Sequence, residues 1–217
     1  MIHDSARIYG KSVVGRNSSI LENVIVGYPD RQILNVVHSK GIKVKDHQYE
    51  GSNIGENALI RANTIIYCNV RIGNNFQTGH NVLVRENTLI GDNVSIGTNS
   101  VIEGNSSIGN NVNIQSNVFI AINTIIEDFV FIGPNAVLTN DKYPPFRKGN
   151  ELKGPILMKG VSVGANAVIL PGVVIGEGSM ISAGAVVTKD VPDWKLAIGC
   201  PAEVVDLPEE LKVLNRI

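Results

Sequence analysis

Residues 84–102 read VRENTLIGDNVSIGTNSVI, and the aliphatic residues Val84, Ile90, Ile96 and Ile102 recur at every sixth position. The same step extends without a slip from Ile54 to Leu138, and fourteen of its fifteen positions are aliphatic, Thr78 being the exception. Four residues after each comes a small or branched side chain, such as Val82, Thr88, Val94 or Ser100, with Phe76 as the bulky exception. Three residues after each comes Asn, from Asn57 through Asn123 in twelve consecutive repeats and again at Asn135, interrupted at Phe129 and Asp141. A helix would repeat its apolar face every 3.6 residues and a half-buried strand every two. A step of six requires a short strand that buries two side chains and then turns, and Asn tolerates the left-handed backbone region such a turn needs. Three strands then close a triangular coil of about eighteen residues, and coils stack by parallel strand pairing. A β-sandwich of short strands offers no reason for fifteen repeats in phase.

The motif resembles the hexapeptide repeat, [LIV]-[GAED]-x-x-[STAV]-x. The resemblance implies an all-β fold, a left-handed parallel β-helix with an extruded loop. Its handedness, an exception to the right-handed crossover rule, is implied by the resemblance alone.

The chain of 217 residues is long enough for one large domain. Acids and bases are interspersed with a net charge of −1, so no basic face argues for nucleic acid or an anionic membrane. Cys68 and Cys200 have neither disulfide-framework nor metal-ligand spacing, and free thiols favour a reducing compartment. No apolar run approaches a membrane span, and the N-terminal residues lack a signal core. These features predict a cytoplasmic protein.

Ile8, Val14, Ile20 and Val26 already hold the beat, which divides the chain into a β-helix domain over 1–206 and a C-terminal segment over 207–217. Val26 to Ile54 is twenty-eight residues, four more than a multiple of six, so 27–53 contains an irregular insertion, with Gln32–Val37 and Ile42–Lys45 strand-like. A second interruption, an extruded loop over 139–160, ends where the beat resumes at Val163. A loop of that length on a solenoid is the strongest site signal in the chain. The later corners change from Asn to Gly172, Gly178 and Gly184, which would let another molecule approach the backbone. Leu207–Ile217, with early acids and late bases, reads as a short capping α-helix over the open end of the solenoid.

His80 is the sole histidine of the long run and stands at a corner, where core filling cannot explain it. It is either a solvated residue or an imidazole that exchanges a proton near neutral pH. Residues eighteen apart stack, so His80, Thr98, Ser116 and Pro134 form one column beside Asn81, Asn99, Asn117 and Asn135. His80 and Ser116 are then roughly 10 Å apart, too far for one proton transfer and suited to a ligand lying along the groove.

The coils, the extruded loop, Ile169-Leu170-Pro171-Gly172-Val173 and Ile198-Gly199-Cys200-Pro201-Ala202 resemble the hexapeptide-repeat acyltransferases. Cys200 departs from the Gly-Asn-Pro-Ala usual there. Ile114–Val118, Glu127–Pro134 and Leu138–Asp141 are most similar to the N-acetyltransferases of nucleotide-linked amino sugars. The resemblance implies acetyl-coenzyme A as acyl donor, a homotrimer with sites between subunits, and direct transfer to an amine. It implies His80, Asn117 and Asp141 as catalytic candidates and Asn140, Lys142 and Tyr143 as substrate contacts. The coenzyme would run past Gly164, Ala165, Ser182 and Ala183, with Lys189 near its 3′-phosphate. A sugar O-acetyltransferase and a non-catalytic assembly subunit remain alternatives on the same fold. A hydratase like the γ-class carbonic anhydrases would need three imidazoles on one metal ion, and no metal site is expected.

Overall fold

The computed structural model describes residues 1–145 and 151–216. The chain winds into a left-handed parallel β-helix with three flat faces. We number them in chain order: face I begins with Arg7–Ile8, face II with Val13–Val14 and face III with Ser19–Ile20, in sheets of nine, eight and ten strands. Most strands are two residues long and pair with the strand one coil away, as in Val84↔Ile102, Ile90↔Ile108 and Ile96↔Ile114. That register is eighteen residues, the triangular coil expected from the sequence.

Each coil drives three aliphatic side chains into the axis. Ile60, Ile66, Ile102, Ile120, Ile132 and Leu138 are fully buried, and such a side chain contributes about 1.5–3 kcal/mol. The corners are held separately. Every Asn of the column has φ between 54° and 64°, and Phe129 adopts 60° in the same position. The Asn side chains bond to one another up each edge: Asn57 to Asn75, Asn75 to Asn93 and Asn93 to Asn111 at 2.8–3.2 Å. A parallel ladder joins backbone N–H groups to side chains one coil on, including Asn74 to Asp92, Asp92 to Asn110 and Asn110 to Asp128.

Both insertions leave from the edge between faces I and II. The first is helical where strands are expected. Helix α1 (Arg31–Ser39) contains all of Gln32–Val37, and Val44–Asp46 forms a 3₁₀ turn. Asp30 accepts the Ile33 N–H at 2.8 Å as the N-cap, which turns an apolar run into a helix. Val14 pairs with Ile54, forty residues away, so twenty-two residues are added to one coil.

The second insertion is shorter than 139–160. Ile156–Leu157 already pairs with Ile125–Ile126 and Val174–Ile175 in face II, and Leu138 to Leu157 is nineteen residues, thirteen more than one step. The beat therefore resumes at Leu157, one repeat before Val163. Residues 146–150 lie outside those described.

Among its described residues the C-terminal segment forms no α-helix. A hairpin extends face III, Lys195–Ile198 pairing parallel with Met180–Ile181 and Glu203–Asp206 adding antiparallel to it, and Glu209–Leu211 makes a single 3₁₀ turn. Pro208 starts that turn, and Asn215 draws the following residues back along the II/III edge. Its amide donates to the Phe129, Gly160 and Val161 carbonyls at 3.0–3.3 Å, and its Oδ1 accepts from Ser162 Oγ. The expected glycine corner also divides. Gly178, at φ 64°, makes room for the Trp194 ring of the same chain, whereas Gly184 faces open space.

Candidate active site

The predicted residues fall on two of the three edges. Gly79-His80-Asn81, Gln115-Ser116-Asn117, Gly164-Ala165-Asn166 and Ser182-Ala183-Gly184 turn between faces III and I. Asn140, Asp141, Lys142 and Tyr143 begin the second insertion on the I/II edge, and Lys189 turns there as well. Within one chain the structure therefore separates His80 and Asn117 from Asp141, and Lys189 from the other coenzyme candidates. Asp141 also lies three coils above His80, about 14 Å along the axis.

His80 is exposed, and its backbone N–H is taken by Thr98 Oγ1 at 3.2 Å. Asn117 is exposed at φ 60°, with its Oδ1 accepting from Asn99 at 3.3 Å. Asp141 is half-buried and caps the Tyr143 N–H at 3.0 Å; Lys142 stands over the Tyr143 ring at 5.8 Å. Gly164, Ala165 and Ser182 are half-buried, while Ala183 and Lys189 are exposed. No side chain larger than Ser stands at these four edge positions, so an extended ligand could lie against the coil backbone.

Beside His80, on face III, lies a groove of about 210 Å³ that sequence reasoning missed. Gln77, Ser95, Asn113 and Gln115 supply neutral donors and acceptors along it, and Arg61 stands at one end. Gln115 Nε2 donates to Asn113 Oδ1 at 2.7 Å, which fixes two of these carboxamides. Polar outward residues on one face were visible in the sequence, but their convergence with Arg61 required the coil register.

The I/II edge carries a second missed cluster. Arg85 stacks on Tyr67 at 4.8 Å, grips Glu86 through two hydrogen bonds of 2.7 and 2.8 Å, and lies 3.6 Å from Glu103. Burial alone would push the Glu86 carboxyl up, but the Arg85 hydrogen bonds and charge take it below its ordinary value. Tyr28 meets Tyr67 edge-on at 5.1 Å and continues the stack toward the first insertion. Among the described residues no three His, Cys, Asp or Glu side chains stand close enough to share a metal ion.

The bacterial transferase hexapeptide (six repeats) family matches residues 87–121 and 154–189, two stretches of consecutive coils on either side of the second insertion. The matched stretches make up about a third of the chain, and their hexapeptide repeats are similar to those of that family. This hexapeptide-repeat protein is 47% identical over 49 residues to the dTDP-3-amino-3,6-dideoxy-alpha-D-galactopyranose 3-N-acetyltransferase of Aneurinibacillus thermoaerophilus, a match covering 23% of this chain and 26% of that one. It is 52% identical over 61 residues to the 2,3,4,5-tetrahydropyridine-2,6-dicarboxylate N-acetyltransferase of Staphylococcus carnosus, covering 28% of this chain and 26% of the relative. The chain thus spans about a quarter of the length of these curated relatives. A Bacillus cereus crystal structure, provisionally described as an acetyltransferase, superposes over 88% of both chains with a TM-score of 0.52 at 26% identity.

Proposed function

We propose that this hexapeptide-repeat protein is an acetyl-coenzyme A-dependent N-acetyltransferase acting on a nucleotide-linked amino sugar in the cytoplasm. The observation that carries this reading is the hydrogen-bonding groove on face III next to the His80 corner, neutral apart from Arg61. Its carboxamides and hydroxyl suit a polyol, and His80, which follows the lining residue Gly79 in sequence, suits the removal of a proton from an amine. The local identity to an amino-sugar N-acetyltransferase supports the same substrate class.

In this reading the amine nitrogen attacks the thioester carbonyl, the C–N bond forms, and the C–S bond breaks. The amine proton passes to His80 or to water, and the departing sulfur is released as the coenzyme thiol. Asn117 orients the reacting groups; where the amine lies at the lower coils His80 is the base, and where it lies three coils higher Asn140 and Asp141 position it and water takes the proton, with Lys142 and Tyr143 contacting the sugar. The coenzyme lies against Gly164, Ala165, Ser182 and Ala183, where small side chains leave the backbone accessible. Lys189 meets its 3′-phosphate.

These roles need more than one copy, and face I supplies a reason for assembly. Its outward column reads Ile25, Ile65, Leu83, Val101, Phe119, Val137, Val168 and Val186, all exposed or half-buried. Eight consecutive apolar outward positions are unlike the mixed columns of faces II and III. A homotrimer that turns face I toward its axis brings the III/I edge of one copy against the I/II edge of the next. His80 and Asn117 then share a cleft with the neighbour's second insertion, and Lys189 reaches the neighbour's coenzyme edge.

The test is thiol release from acetyl-coenzyme A with a panel of nucleotide-linked amino sugars, with simple amino sugars and a cyclic imine dicarboxylate as controls. Turnover of a nucleotide-linked amino sugar is expected. Turnover confined to the dicarboxylate, or absence of both turnover and coenzyme A binding, would overturn the reading.

A further inference from the structure

Thr78 is the polar exception in the inward column, and the structure gives it a task. In the neighbouring coils of face III the first corner residue donates its N–H to the carbonyl one coil on: Gly79 to Ile96, Gly97 to Ile114 and Gln115 to Ile132, at 2.7–2.9 Å. Arg61 breaks the rule. Its N–H goes to Thr78 Oγ1 at 2.9 Å, and its guanidinium Nη1 takes the vacated Thr78 carbonyl at 2.5 Å. The regular pairing here shrinks to Leu59↔Gln77 alone. Thr78 is 1% exposed, and its hydroxyl also meets Thr64 Oγ1 at 3.3 Å, so the exchange of partners is buried and fully hydrogen-bonded.

The consequence is an arginine fixed at the end of the groove beside His80. Arg61 pairs with no carboxylate among the described residues. Of the groove's lining residues, Arg61 alone is charged; the others are Gln, Ser, Asn, Thr, Ile and Gly. One nitrogen is anchored to Thr78, which leaves the rest of the fork for a ligand. A guanidinium held in this way is suited to a planar pair of anionic oxygens.

The geometry points to Arg61 as the anion-binding residue of this groove, positioned by Thr78, with a sugar phosphate or nucleotide diphosphate sugar as its ligand class. The phosphate meets Arg61 and the hydroxyls run along Gln77, Ser95 and Asn113, which are one coil apart and about 4.8 Å from rung to rung. A phosphate or diphosphate gathers its negative oxygens at one end, where Arg61 stands, whereas a dicarboxylate places its two charges at opposite ends of the molecule and would set one of them against neutral lining groups. The inference deepens the proposed function by naming the ligand's charged end, and Thr78 acts through Arg61 as a positioning residue.

The test is isothermal titration of the full chain with glucose 1-phosphate, thymidine diphosphate and uridine diphosphate, with pyridine-2,6-dicarboxylate as the competing chemistry. Arg61→Gln should weaken phosphate binding about 10- to 100-fold, and Arg61→Lys should restore part of the loss. Thr78→Val nearly conserves volume and restores the regular backbone bond, so it should keep the melting temperature while weakening binding in the same direction. In acetyl transfer, both variants should raise KM far more than they lower kcat. Binding of no phosphate probe, equal binding by wild type and Arg61→Gln, or Arg61-dependent binding of the dicarboxylate alone would each overturn the assignment. Arg61-dependent phosphate binding without turnover of any amino sugar would overturn the proposed function and leave this site standing. Turnover with an unchanged KM in Arg61→Gln would do the reverse.

Discussion

Asn99 donates its side-chain amide to Oδ1 of Asn117 at 3.3 Å, and both residues hold φ of 60°. Asn117 is therefore a rung of the corner ladder as well as a catalytic candidate, and two substitutions separate the roles. Asn117→Ala keeps the left-handed conformation at a cost of about 1–2 kcal/mol and loses a hydrogen bond worth about 1 kcal/mol. Asn117→Gly removes the side chain without the conformational penalty. The glycine variant should melt close to wild type while acetyl transfer falls sharply. If activity follows melting temperature across both variants, Asn117 is a structural corner residue.

Face I should govern assembly. Phe119 is 38% exposed at the centre of the apolar column, and Leu83 and Val101 stand below it on successive strands. Phe119→Glu places a charge in the contact while leaving the inward Ile120 untouched. Light scattering should read about three times 23.3 kDa for wild type and 23.3 kDa for the variant. Circular dichroism should be unchanged and acetyl transfer lost, because the cleft needs both edges. A wild-type protein that is monomeric, or a variant that stays trimeric, would contradict the interface.

The same coil arithmetic explains what the sequence made legible. The step of six depends on local burial and turn chemistry, so the solenoid, its eighteen-residue register and the corner Asn residues could be read directly. Insertions do not obey that step. The run Ile33-Leu34-Asn35-Val36-Val37 contains β-branched residues that suggest a strand, yet Pro29-Asp30 before it carries the helix cap that decided the outcome. Counting forward from Leu138 hides Leu157, whereas counting back from Val163 by six reaches it. His80 was conspicuous as a lone imidazole at a corner. Arg61 was not, because its importance depends on a hydrogen-bond exchange with Thr78 that no spacing rule contains.

The separation of His80 and Asp141 onto different edges carries its own prediction. His80→Ala removes an exposed corner side chain whose backbone bond to Thr98 remains, so stability should hold while kcat falls about 10²- to 10⁴-fold. Asp141→Asn can still cap the Tyr143 N–H and loses only the charge. Mixing His80→Ala with Asp141→Asn should recover activity, because subunit exchange creates clefts with both native groups. A mixture as inactive as its parents, with exchange verified by mass spectrometry of labelled chains, would place both residues in one subunit's site or outside the site.

The two cysteines should differ in reactivity for a reason independent of the catalytic reading. Cys68 is fully buried and Cys200 is exposed. Burial pushes the Cys68 thiol up to about 11, so the folded protein holds its protonated form where an unfolded thiol would ionise. A raised folded value contributes stability that is fully present below the unfolded value of 9.0 and is lost as pH rises toward about 11. Alkylation with iodoacetamide at mildly alkaline pH should modify Cys200 alone, and Cys68 should react after unfolding. Cys68→Ala should flatten the alkaline decline in melting temperature relative to wild type. Rapid alkylation of Cys68 in the folded protein would show that the corner between Tyr67 and Asn69 opens far more readily than its packing implies.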